Sequence, residues 1–304
     1  MLSDPFAPVL DCAGRRLVLD RPRVVGIVNL SPDSFSADGH GDDVEAAVAH
    51  ALRMAEDGAD MLDVGGESTR PGAAEVSVEQ ELQRVMPVIE QLVARTSLPV
   101  AVDTSKPEVM RAAVAAGAGM INDVCALRRE GALEAAAGLR VPVCLMHMQG
   151  DPRSMQVQPH YDDVVGEIHR FLTDRLFACE LAGMDRKQVL VDPGFGFGKT
   201  LEHNVALLSA LERFAGLGGG LYVGLSRKSM IGALTGRKSP AERVAGSVAA
   251  AVLAAARGAR MIRVHDVAPT VDALAVWQAV HERDGVPQRV DKKPSTAPRW
   301  PDED

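Results

Sequence analysis

Aromatic residues are scarce, only 4% of the 304 residues. So few rings leave little on which bases could stack, which argues against an aromatic nucleic-acid platform. Positive charge is also in deficit: 33 Lys and Arg face 41 Asp and Glu, a formal net charge of −8, with a pI near 5.5. Such a chain has no global attraction for DNA, RNA or an anionic membrane. Any anionic ligand must therefore be held by cations gathered locally. Cysteine is limited to Cys12, Cys125, Cys144 and Cys179, with no C-x-x-C pair. Neither a zinc site nor a disulfide framework is indicated, so a reducing cytosol is the expected compartment. No basic segment leads into an apolar stretch at the N-terminus, so no secretory signal is expected. No apolar run approaches the roughly 18 residues of a membrane span. The expectation is a cytoplasmic protein with no nucleic-acid and no membrane partner.

What the chain has is an ordinary globular composition, 46% hydrophobic and 24% charged, at a length that suits one large α/β barrel or two smaller domains. Residues 8–21 read as a hairpin turning at Asp11 to Gly14. Thereafter one unit repeats: a compact apolar run ending in a polar residue, a glycine-rich loop, then an alanine-rich helical stretch. The runs are VVGIVN (24–29), DMLDVG (60–65), LPVAVD (98–103), GMIND (119–123), VPVCLMH (141–147), QVLVD (188–192), LYVGLS (221–226) and RMIRVH (260–265). Their near-continuous apolarity is that of parallel strands buried on both faces. Between them lie helical patterns at 43–58, 77–97, 106–117, 129–138, 161–183, 201–214, 240–258 and 270–283. Ser77 with Gln80, Ser105 with Glu108 and Ser239 with Glu242 fit capping boxes, and Pro240 suits a first helical position.

Eight such units in succession point to a TIM (β/α)₈ barrel with an N-terminal β-hairpin, spanning 1–284. A doubly wound open sheet is the competing architecture, but NLSPDSF follows the first strand where its glycine fingerprint would lie. Residues 285–304 are rich in proline and charge and read as a disordered tail.

Catalytic groups of a TIM barrel sit at the C-terminal ends of its strands. Those positions hold Asn29, Asp63, Asp103, Asn122, Asp192, Ser226, Arg263 and His265, with Lys228 just beyond the seventh strand and Thr69 and Arg70 in the loop after the second. Each has a bland explanation alone: a strand-end aspartate often satisfies a turn, and His147 reads as a hydrogen-bonded structural histidine. Their recurrence at equivalent places in otherwise apolar runs is what points to a site. DPGFGFGKT (192–200) imitates a phosphate-binding loop, but Pro193 stands where the Walker pattern needs glycine. A glycine-rich βα loop close to a flat ligand is the better reading.

The blocks GIVNLSPDSFSADG (26–39), DMLDVGGESTRPGA (60–73), VAVDTSKP (100–107), GMINDV (119–124), CLMHMQGDPRSMQ (144–156), VDPGFGFGKT (191–200), GLSRKSMIG (224–232) and IRVHDV (262–267) resemble, in order and spacing, the bacterial dihydropteroate synthases. That resemblance covers residues 8–283. It implies a transferase of folate biosynthesis that joins p-aminobenzoate to 6-hydroxymethyl-7,8-dihydropterin diphosphate, with Mg²⁺ as cofactor, sulfonamides as inhibitors and a homodimeric assembly. It implies pterin contacts from Asp103, Asn122, Met146, Asp192, Phe197 and Lys228. Diphosphate would be held by Asn29, Thr69, Arg70, Arg263 and His265, with Asn29 also the metal ligand. Phe35, Thr69, Pro71, Lys228 and Ser229 would meet p-aminobenzoate, and Asp103, Lys228 and Arg263 would carry catalysis. Ser34 belongs to the same closing loops. The chain departs from the family pattern at SFSADG, where SFSDGG is usual, moving the aspartate to Asp38. Leu30 and Ser31 replace the commoner valine and threonine. Two other readings stay open: a methyltetrahydrofolate:corrinoid methyltransferase-like enzyme, which would not need the diphosphate cations, and a non-catalytic paralogue, which would be expected to lose strand-end residues.

Overall fold

A computed structural model describes residues 7–31, 43–70, 72–151 and 154–284. Two short strands, β1 (Val9–Cys12) and β2 (Arg15–Val18), form the antiparallel hairpin. The next eight, β3 (Arg23–Asn29), β4 (Met61–Gly65), β5 (Val100–Asp103), β6 (Met120–Asp123), β7 (Val143–Met146), β8 (Val189–Asp192), β9 (Gly220–Gly224) and β10 (Ala259–Val264), close into a parallel barrel in chain order. Around it run α1 (Val44–Glu56), α2 (Val78–Arg95), α3 (Pro107–Ala115), α4 (Ala132–Leu139), α5 (Val164–Leu181), α6 (Leu201–Ser209), α8 (Val244–Ala256) and α9 (Val267–Asp284). A short α7 (Ser229–Thr235), which the sequence pattern did not reveal, lies between β9 and α8. Seven residues are too few to display a helical period. The expected tail lies outside the described residues. Among those described, no helix is long and apolar enough to cross a membrane.

Ser77 and Gln80 form the expected capping box, as do Ser239 and Glu242 at a 3₁₀ turn, Pro240–Arg243, ahead of α8. Ser105 does not cap. Helix α3 starts one residue later, with Lys106 as an N-cap that makes no side-chain bond. The Ser105 hydroxyl instead donates to the Asp123 carboxylate, which also accepts from the Cys125 and Leu127 N–H groups at 2.7 Å each. Asp123 is fully buried, and a buried carboxylate must have its donors.

Alternation along each strand divides the core in two. Outward residues such as Val24, Leu62, Val102, Ile121, Leu145, Val191 and Ile262 pack under the helices. The inward residues Val25, Met61, Ala101, Met120, Cys144, Leu190, Tyr222 and Met261 form a separate apolar cluster with Leu10, Cys12, Leu17 and Leu19 of the hairpin. The hairpin thus plugs the N-terminal end of the barrel. Arg15 fastens it by donating to the carbonyls of Leu98 at 2.5 Å and Val93 at 2.8 Å. Gln188 grips its other edge through the Val9 carbonyl and the Asp11 N–H.

Two residues beyond that inner layer, the same inward face presents Asp63, Asp103, Asn122, Met146, Asp192, Gly224 and Arg263. The polar strand ends are therefore one layer, resting on an apolar floor. Leu10 is completely buried in that floor. Leu10→Ala is expected to cost about 2–5 kcal/mol, read as a lower midpoint in chemical denaturation; an unchanged midpoint would show that the hairpin is not part of the cooperative fold.

Candidate active site

Asp63 lies at the centre of the polar layer and is fully buried. Its Oδ2 accepts from Arg263 Nε at 2.5 Å, from Asn122 Nδ2 at 3.0 Å and from the Tyr222 hydroxyl at 3.4 Å. Arg263 Nη2 then reaches Asp103 Oδ2 at 2.9 Å. One guanidinium is thereby shared between two carboxylates, the arrangement that its planar fork favours. Asp103 and Asn122 are direct neighbours in the β5–β6 register, and Met146 and Asp192 in the β7–β8 register.

Burial pushes the Asp103 carboxyl up to about 7, with Arg263 pulling it down and Asp63 repelling its charge. Burial likewise raises Asp192, opposed first by Lys228. Lys228 is brought down to about 8 by burial, which outweighs the attraction of Asp192. Burial also disfavours the Arg263 charge, but Asp63 and Asp103 more than compensate and hold it above the usual arginine value. Asp103 and Lys228 thus titrate close to neutrality in one small volume, a pattern typical of functional sites.

An apolar wall stands beside these groups. Met146, Met148 and Met155 form a buried cluster, with Val124, Cys125 and Phe197 packed against it. The Lys228 ammonium lies 4.5 Å from the centroid of the Phe197 ring and donates to the Phe195 carbonyl. Carboxylates and an amide next to a methionine and phenylalanine wall suit a flat heterocycle with several N–H donors on its edge.

Further polar and charged groups follow the strands. Half-buried Arg70 and Thr69 follow β4. That loop is anchored by Lys106, whose ammonium meets Glu67 Oε2 at 2.7 Å and Glu81 Oε2 at 2.6 Å. His265 follows β10, its Nδ1 3.1 Å from Ser226 Oγ. Burial and the surrounding Arg263, Arg227, Lys228 and Arg70 lower it to about 3, so its ring is neutral at physiological pH. Arg227 and Asp266 pair in bidentate fashion at 2.9 and 2.6 Å, binding the loop that carries Lys228 to the one that carries His265. Ser229 is exposed at the start of α7, and Asn29 is half-buried at the end of β3. Ser34, Phe35, Asp38 and Pro71 lie outside the described residues.

Three structural participants had no role assigned from sequence. Asp63 was visible as a strand end, and its position two residues after the floor residue Met61 marks it as inward-facing. Lys199 and the Arg227–Asp266 pair gave no local signal, because their partners come from other elements. His147 is structural as read: it is 4.8 Å from the Phe171 ring, edge to face, with Lys199 Nζ 3.0 Å from its Nδ1.

Residues 25–265 match the family model described as pterin binding enzyme. The dihydropteroate synthase of Escherichia coli (strain K12) is 53% identical over 266 residues, covering 88% of this chain and 94% of that protein. The chain belongs to the dihydropteroate synthase family. A solved Xanthomonas albilineans dihydropteroate synthase with 4-aminobenzoic acid superposes with a TM-score of 0.86 at 66% identity, covering 92% of this chain and all of that one. A Yersinia pestis family member in a sulfonamide drug complex gives 0.88 at 50% identity, covering 90% and 99%. The closed barrel described here is thus the fold of the family.

The raised Asp103 carboxyl makes a prediction about stability. Its folded pKa exceeds the unfolded value of about 3.9, so the folded state binds the extra proton. Stability from this group is full below about 4 and is lost as pH rises towards about 7. Asp103→Asn should therefore gain melting temperature relative to the unmodified protein between pH 5 and pH 8. A difference independent of pH would contradict the elevated carboxyl.

Proposed function

We propose that this chain condenses 6-hydroxymethyl-7,8-dihydropterin diphosphate with p-aminobenzoate, giving 7,8-dihydropteroate and diphosphate for folate biosynthesis. The observation that carries the reading is the convergence of Asp103, Asn122, Asp192 and Lys228 beside the Met146 and Phe197 wall, in a chain of this family. A pterin edge resembles a guanidine fused to an amide. It offers N–H donors to Asp103, Asn122 and Asp192, and a ring carbonyl and nitrogen to Lys228. Analogues lacking those groups would leave buried polar atoms unpaired, which is costly.

Diphosphate falls to Asn29, Thr69, Arg70, Arg263 and His265. Because His265 starts neutral, it serves first as a hydrogen-bond donor; the arriving anion favours its protonation. The donor chemistry around Asn29 fits Mg²⁺. Its carboxamide oxygen is a hard ligand at the strand mouth, and no group of three or more His, Cys, Asp or Glu among the described residues forms an all-protein cage. Magnesium commonly takes one or two protein oxygens plus phosphate oxygens and water. When bound, the ion neutralises charge gathering on the leaving group.

The reaction is SN1-like. The bond between the pterin methylene carbon and the diphosphate oxygen breaks, and its electron pair departs with diphosphate. The ring nitrogens stabilise the resulting cation, and ionised Asp103 favours it electrostatically, inside a site of low dielectric. The aniline nitrogen of p-aminobenzoate, already neutral, attacks the methylene carbon and then releases its proton, so no strong protein base is required. Phe35, Thr69, Pro71, Lys228 and Ser229 are assigned to p-aminobenzoate, the position at which sulfonamides would compete. A homodimer and a cytoplasmic location form part of the proposal on the resemblance alone.

The test is diphosphate release on mixing both substrates with Mg²⁺; folded protein showing none above background would overturn the reaction. Asp103→Asn should lower kcat by about 10²–10³ while pterin diphosphate binding weakens far less. Equal losses in both would remove the cation-stabilising role. Asn29→Ala should raise the magnesium concentration needed for half-maximal rate, and an unchanged requirement would place the ion elsewhere.

A further inference from the structure

The lysine of the glycine-rich motif after β8 has no part in the proposed chemistry, yet Lys199 is only 3% exposed. Its amino group donates to the Phe197 carbonyl at 2.8 Å, lies 3.0 Å from His147 Nδ1, and reaches the His147 carbonyl at 3.4 Å. Burial lowers Lys199 well below the ordinary lysine range, while Asp192 supports its charge. His147 is held neutral, with burial the largest cause, so its Nδ1 lone pair can accept.

The surrounding loop is fastened along its length. The Gly194 carbonyl accepts from the Phe197 N–H, that of Phe195 from Lys228, that of Gly196 from Gln156 and that of Phe197 from Lys199. The Gly198 carbonyl accepts from the Tyr161 hydroxyl at 2.9 Å, and Asn204 Nδ2 serves those of Lys199 and Thr200. The loop also presses directly on the backbone beyond β7. A Cβ at Gly194 would collide with the His147 carbonyl oxygen, and one at Gly198 would lie 2.7 Å from that of Gln149. Both glycines have positive φ, 70° and 61°. Carbonyl oxygens from two loops are thus crowded together, and the Lys199 amino group is the donor placed between two of them.

We infer that Lys199 is a positioning residue for the pterin subsite: from behind the wall it ties the chain just after Met146 to the carbonyl of Phe197, setting the spacing of the two apolar side chains. This deepens the pterin reading and rests on it. Lys199 touches no substrate; it acts through Phe197.

The test is a double-mutant cycle read by steady-state kinetics. Lys199→Met should raise KM for the pterin diphosphate about tenfold and leave kcat within about threefold, and in a Phe197→Ala background the same change should have an effect below about twofold. A lowered kcat with unchanged KM, or a tenfold effect that persists without the Phe197 ring, would overturn the assignment. If Lys199→Met does not fold, Tyr161→Phe removes only the neighbouring bond to the loop. It should raise the same KM about threefold, again only when Phe197 is present; no change would count against the fastened wall. Calorimetry with 6-hydroxymethylpterin as probe separates the two levels. Absent turnover with pterin affinity weakened by Lys199→Met refutes the proposed reaction and supports the positioning role. Turnover with affinity insensitive to Lys199→Met refutes the positioning role alone.

Discussion

The ion pair between Asp63 and Arg263 is the constraint on which the remaining site depends. Asp63 comes from β4, Arg263 from β10, Asn122 from β6, Tyr222 from β9 and Asp103 from β5, so one carboxylate and one guanidinium connect five strands. Enclosing these charges is expensive, and only close geometry with further hydrogen bonds offsets it. The apolar floor beneath makes the polar layer dry from below, and the hairpin closes that end. With water excluded on that side, each charge strongly perturbs the next. Asp103 consequently titrates near 7 and Lys228 near 8, within reach of the pH at which an enzyme works.

The same economy of charge explains how an acidic protein can host an anionic substrate. Arg263 is already matched by two carboxylates, and His265 is neutral. The proposed diphosphate contacts would therefore rest on groups set by anchored loops rather than on a general positive field. Lys106 braces the loop of Thr69 and Arg70 against α2, and Arg227 with Asp266 joins the loops of Lys228 and His265. These braces lie behind the groups that would meet ligand. Positions held this way lose less freedom on binding than free side chains do.

Much of the barrel was legible because parallel strands buried on both faces must be apolar throughout, so each polar interruption was conspicuous. The eight runs correspond to β3 through β10, and the strand-end residues Asp103, Asn122 and Arg263 do meet one another. Alternation even contained the layer: Met61 to Asp63, Ala101 to Asp103 and Met120 to Asn122 are two-residue steps on one face. Less was legible where competition between partners decides the outcome. Ser105 matched a capping box but was claimed by Asp123, and α7 was too short to announce itself.

By itself the sequence determined the repeating unit, the closed parallel sheet, the family and the kinds of groups at the strand ends, since all of these follow from local pattern. Only the tertiary structure decided which charges meet. Arg263 finds Asp63 across 200 positions of chain, and Lys199 finds His147 across 52. It also decided their protonation, because a side chain's titration depends on burial and on neighbours brought close by folding. Local spacing carries no record of either.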